Sequence, residues 1–148
     1  MLDKETELKL VKKAFEMKEK AYCPYSKYQV GAGILTKSGK IYGGHSIENS
    51  SYPATVCAER TSIFKAVSEG DREFIAIAIC GGSVGTKPQG LETDYAFPCG
   101  VCRQVMREFT NPKEFKIYVC ASEEKYNVYT YTLEELLPHS FGPEFLLG

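Results

Sequence analysis

Neither sign of charge is in excess: 18 Lys and Arg stand against 19 Asp and Glu, for a net charge of −1, and the basic residues are scattered. A polyanion partner calls for a basic patch or stripe, so nothing here provides for binding DNA or RNA. Long apolar runs are also missing. From Met1 to Lys20, charged and apolar residues alternate with no uninterrupted apolar stretch. That pattern excludes a signal peptide or membrane span in this segment and makes cytoplasmic residence the expectation. Histidine is scarce, with only His45 and His139. Neither has a recognisable partner, so no Ser-His-Asp or Cys-His nucleophile is assembled. Repeats, low-complexity runs and linkers are absent too. A length of 148 residues, with 43% hydrophobic and 25% charged residues, suits one domain over 1–148 with a single sizeable core.

Cysteine is present six times. In a chain without export signals these thiols are not expected to form disulfides. Cys99 and Cys102 lie three apart in Pro98-Cys99-Gly100-Val101-Cys102, so at the opening turn of a helix both sulfurs can face one point. Thiolates are ligands that borderline-soft zinc accepts, and Cys57 is the expected third. A structural zinc site is closed by four protein ligands, whereas three leave a fourth position for water, as in catalysis. Glu59, two residues after Cys57, is badly placed on a helix to ligate the same ion and well placed to move a proton beside it. Cys23, Cys80 and Cys120 read as plain buried thiols.

Thr55-Val56-Cys57-Ala58-Glu59-Arg60 followed by Pro98-Cys99-Gly100-Val101-Cys102 resembles the signature of the zinc nucleobase deaminases, a ligand two before a Glu and then Pro-Cys-x-x-Cys. Nearly the whole chain, including Tyr25–Ala32, Ile47–Tyr52, Ala66–Gly70 and Leu136–Pro143, is similar to the small homotetrameric cytidine deaminases. The resemblance implies an α/β fold of three layers, α/β/α, around a mixed five-stranded sheet. It implies one Zn²⁺ per chain and hydrolytic deamination of cytidine and 2′-deoxycytidine in pyrimidine salvage, with Glu59 as the catalytic proton carrier. Tyr28 stands where the similar enzymes place a phenylalanine against the base. Ser46 and Glu48 match an Asn-x-Glu that binds the sugar; Glu48 fits the pattern and Ser46 departs from it. Ala58 falls among the substrate positions, Arg60 and Gln104 behind the ligand sulfurs, and Phe141 over a base bound in a neighbouring subunit. A deaminase of a modified cytosine nucleoside such as blasticidin S is the alternative, and a non-enzymatic zinc-binding interaction module a further one.

The remaining pattern gives the elements. Leu8, Leu10, Val11, Ala14, Phe15 and Met17 recur at helical spacing, predicting a packing helix over Leu2 to Ala21 that ends before Cys23-Pro24. Gln29 to Thr36 and Ile41 to Ile47 read as a hairpin about Lys37-Ser38-Gly39-Lys40, with Gly31 and Gly33 marking close packing on one face. Thr55 is the expected cap of a second helix, with Cys57 and Glu59 in its first turn and a stop at Gly70. The apolar run Phe74 to Cys80 predicts a central strand, and Gly81 to Phe97 a long loop of the kind that forms lids. A helix over Gly100 to Phe109 and strands over Phe115 to Cys120 and Asn127 to Tyr131 follow. The six residues between these strands are too few for a parallel crossover, so the last two strands should be antiparallel. Thr132 caps a short helix, Leu133 to Leu137, stopped by Pro138 and expected to be the last.

Overall fold

A computed structural model describes residues 2–87, 89–91 and 94–148. Its five strands are β1 (Tyr28–Thr36), β2 (Ile41–His45), β3 (Phe74–Ser83), β4 (Lys116–Ser122) and β5 (Asn127–Thr132), in the order β2-β1-β3-β4-β5. Only β3 and β4 are parallel; the β1–β2, β1–β3 and β4–β5 pairs are antiparallel. The apolar β3 is central, as its composition predicts, and runs three residues past Cys80 to Ser83.

Helix α1 (Lys4–Lys18) covers one face of this sheet, while α2 (Ala58–Ser68), α3 (Gly100–Phe109) and α4 (Leu133–Leu136) cover the other. Three layers result. The first helix is shorter than its pattern suggests and ends at Lys18, well before Pro24. Its inward stripe is Leu10, Val11, Ala14 and Lys18, whereas Leu8 is 46% exposed. Lys18 is buried along its whole length, and its ammonium is held there by the Thr86 carbonyl at 3.3 Å and the Glu19 carboxylate at 3.4 Å.

Glycines let the helices lie flush on the hairpin. A Cβ on Gly31 would stand 2.1 Å from the Ala14 carbonyl oxygen of α1, and one on Gly44 would stand 2.4 Å from the Ser62 nitrogen of α2. Helix α2 ends at Gly70, φ +100°, where the Gly70 amide donates to Val67 O and the Asp71 amide to Ala66 O. That paired pattern is the glycine stop the sequence announces. Thr132 caps α4 reciprocally with Glu135, but α4 is not the last helix, since Glu144–Leu147 forms a further turn, α5.

If close approach is the role of Gly31, Gly31→Ala should displace α1 and lower stability by about 3 kcal/mol, the upper end of ordinary overpacking. Urea unfolding measures this, and a change below about 0.5 kcal/mol would remove the packing argument.

Candidate metal centre and proton-transfer site

Two helix N-termini converge on one point. Cys57 is the residue immediately before α2 and Cys99 the residue immediately before α3; both have extended backbone, with ψ of 157° and 168°. Thr55 is therefore not the cap of α2. It ends the 3₁₀ turn Tyr52–Ala54, and its hydroxyl accepts from the Asn49 amide. Neither cysteine uses its sulfur to cap its own helix, so both sulfurs remain at the positive ends of two dipoles. Cys102, in the first turn of α3, is the third member. The Sγ atoms of Cys57, Cys99 and Cys102 lie within 4.8 Å of one another, with Cys57 to Cys99 at 3.8 Å and Cys99 to Cys102 at 3.5 Å.

Burial falls off across the three: Cys102 is fully buried, Cys57 half-buried and Cys99 exposed. The site thus has a floor and a mouth. A hydrogen bond from Cys102, followed by the Arg60 guanidinium, pulls the Cys57 thiol down to about 5. Arg60 Nη2 lies 3.5 Å from that sulfur and 3.4 Å from the Thr55 carbonyl. A thiolate at neutral pH is the form that binds metal.

Glu59 lies one residue inside α2 and is 3% exposed, and its Oε1 has no hydrogen-bond partner among the described residues. Burial, aided by the charge of Cys57, pushes its carboxyl up to about 7. Three sulfurs and an orphaned buried carboxyl oxygen fit a zinc ion: the thiols supply its preferred donors, and the carboxyl stands ready for a group held beside the ion.

The other candidates are brought together unevenly. Ile47 exchanges two backbone bonds with Val56, which sets Ser46 and Glu48 beside the strand end leading into Cys57. The Ser46 hydroxyl accepts from the Val30 amide at 3.2 Å. Glu48 accepts from the Tyr25 and Ser26 amides at 3.0 and 3.1 Å and from the Ser26 hydroxyl, which holds its carboxyl below the usual range. Tyr28 opens β1, and its ring lies over Gly81, which Ala96 of the loop before Cys99 also crowds. Ala58 is fully buried against Gly44.

Gln104 does not stand where the resemblance puts it. Gln104 donates to the Phe141 carbonyl at 2.9 Å rather than facing a sulfur. Its neighbour Arg103 clamps two carbonyls, Pro98 and Leu136, each at 2.7 Å. The ring of Phe141 is 55% exposed and stacks on Phe145 of its own chain, with centroids 5.3 Å apart.

Of the expected Gly81–Phe97 lid, residues 88, 92 and 93 lie outside the described residues. The part nearest Cys99 is fastened to β5, with Tyr95 stacked on Tyr129 at 4.0 Å and Phe97 against Tyr131 at 5.8 Å. Sequence reasoning missed this aromatic fastening, whose signal was the run of aromatics at alternate positions in Tyr129 and Tyr131.

The carboxyl's position gives a signed pH effect. With Glu59 raised from about 4.5 to about 7, the folded chain retains a proton through that window that the unfolded chain has released. Folding must therefore weaken as pH rises from 4.5 to 7, and the loss is complete above that. Zinc-stripped Glu59→Gln should accordingly gain on the zinc-stripped parent by about 3 kcal/mol between pH 4.5 and 8, read by urea unfolding. A difference that does not move with pH would mean that Glu59 ionises freely.

A family model for the cytidine and deoxycytidylate deaminase zinc-binding region matches residues 4–119. The chain is 43% identical over 135 residues to a cytidine deaminase of Halalkalibacterium halodurans, covering 91% of this chain and 93% of that one. It is 37% identical over 140 residues to a probable cytidine deaminase of Dictyostelium discoideum, covering 95% and 86%. The crystal structure of cytidine deaminase from Burkholderia pseudomallei superposes with a TM-score of 0.77 at 35% identity, over 95% of this chain and all of that one. That from Mycobacterium tuberculosis gives 0.73 at 31%, over 91% and 96%. Sequence and backbone thus agree along nearly the whole length, and the chain belongs to the cytidine and deoxycytidylate deaminase family with its zinc-binding region.

Proposed function

We propose that this chain hydrolyses the exocyclic amine of cytidine and 2′-deoxycytidine, giving uridine or 2′-deoxyuridine and ammonia, as in pyrimidine salvage. The observation that carries the reading is the unpartnered, buried Oε1 of Glu59 beside three sulfurs. Zinc held by Cys57, Cys99 and Cys102 would supply the Lewis acidity that makes a water nucleophilic near neutral pH. Glu59 would take a proton from the attacking water and deliver it to ring N3 as oxygen adds at C4, then take the remaining proton of that added hydroxyl and pass it to the amine, so that the C4–N bond breaks as the C4 carbonyl forms and ammonia leaves. Its burial suits this work, because among the described residues no fixed partner competes for Oε1. Arg60 steadies Cys57 through the contact to its sulfur.

The base would lie against the Tyr28 ring and the buried backbone at Ala58, and the sugar would reach toward Ser46 and Glu48. Phe141, exposed on its own chain, suits a role over the base in a neighbouring subunit of a homotetramer. No helix among the described residues is long and apolar enough to cross a membrane; the enzyme is proposed, on its sequence pattern, to be cytoplasmic and of one domain. Deamination of a modified cytosine nucleoside such as blasticidin S is the second reading. It draws on one observation: the Ser46 hydroxyl and the Glu48 carboxylate already have partners within the chain.

Purified protein incubated with cytidine, 2′-deoxycytidine, blasticidin S and adenosine should release ammonia from the first two and sediment as a four-chain particle. Glu59→Gln should keep its zinc and lose about 10²- to 10⁴-fold in rate, the range of general acid–base catalysis. Release from blasticidin S alone would favour the second reading, and release from none of the four would end both.

A further inference from the structure

Residues 140–144 are wrapped around one guanidinium. Arg107, on the third turn of α3, is 8% exposed. Its Nε donates to the Ser140 hydroxyl at 2.8 Å and its Nη2 pairs with the Glu144 carboxylate. Between these two, Gly142 crosses the planar group so closely that a Cβ would stand 2.3 Å from Cζ and Nη1. Alternate residues, 140, 142 and 144, therefore face Arg107, while Phe141 and Phe145 are left pointing away and stacked on each other. One turn earlier on the same helix, Gln104 fixes the Phe141 carbonyl. The direction of the Phe141 ring is thus set by groups on the helix whose N-terminal end carries Cys99 and Cys102.

We propose that Arg107 is a positioning residue for substrate, acting through Phe141: its guanidinium folds Ser140-Phe141-Gly142-Pro143-Glu144 so that the ring is presented outward to cover a bound base. The proposal rests on the deaminase reading and on Phe141 contacting substrate. A guanidinium suits the task because its fixed fork can address a hydroxyl and a carboxylate at once while its flat face accepts a close glycine. An ammonium can address both charges only as a point. Were Arg107 merely a fastening for the carboxyl end, its removal would lower stability without passing through Phe141.

The test is a kinetic cycle with cytidine on zinc-loaded enzyme, using Arg107→Met, Arg107→Lys, Gly142→Ala, Phe141→Ala and the Arg107→Met/Phe141→Ala double variant. Arg107→Met and Gly142→Ala should raise KM about 5- to 100-fold, the span of one base–aromatic stack, with kcat within about twofold and zinc retained. Arg107→Lys should recover part of the loss. The double variant should match Phe141→Ala alone, because a lost ring cannot be mispositioned. Gly142→Ala leaves every charge in place and decides the matter should Arg107→Met fold poorly. Effects of Arg107 and Phe141 that multiply in the double variant, or a fall in kcat with KM unchanged, would overturn the proposal. So would a Phe141→Ala variant with parental KM, which leaves the deaminase reading standing. A parent that releases no ammonia from cytidine would bring down that reading, and the proposal with it.

Discussion

Four groups that become negative when they ionise are gathered at the start of two helices, and the fold is organised around making that tolerable. Two like charges 4 Å apart near a protein surface repel by about 4 kcal/mol, and the three sulfurs alone present such pairs at 3.5 and 3.8 Å. Part of the relief is built in. Cys57 and Cys99 each sit at the positive end of a helix, and the Arg60 guanidinium touches Cys57. A dication provides the rest, which is why metal binding here should also be folding free energy. Glu59 is the exception on which the proposed function rests. It is held in the same crowd, buried and with its Oε1 free of partners among the described residues, where a purely structural site would leave it out.

The sheet makes this convergence possible. Gly31 and Gly44 remove side chains from opposite faces of the hairpin, so that α1 and α2 both settle on the backbone. The Ile47–Val56 bridge then fixes where α2 begins, and the Tyr95–Tyr129 stack with the Arg103 clamp on Pro98 fixes where α3 begins. Helix α3 has a second task. Its first turn supplies a ligand, and Arg103, Gln104 and Arg107 along it hold the segment from Leu136 to Glu144. Site and tail are therefore joined through one helix.

Much of this was legible in the chain. The apolar run at Phe74 to Cys80 could only be a strand covered on both sides, the six-residue link before Asn127 forced an antiparallel pair, and the cysteine spacing announced the metal site. What was not legible depended on partners far away in sequence. Thr55 has cap chemistry, but the Asn49 amide engages its hydroxyl and the helix starts two residues later. Lys18 reads as a surface residue until the Thr86 carbonyl gives its ammonium a place to go. Arg103 and Gln104 directly follow the metal motif, and the resemblance puts Gln104 behind the sulfurs. Only the return of the chain at Leu136 and Phe141 reveals which groups they hold.

On the proposed reading three cysteines, and no other side chain, hold the ion and leave room beside Glu59. X-ray absorption at the zinc edge of the purified protein reads the ligand set directly. Three sulfur scatterers at about 2.3 Å and one lighter atom nearer in are expected. Four sulfurs, or the multiple-scattering signature of an imidazole from His45 or His139, would contradict it.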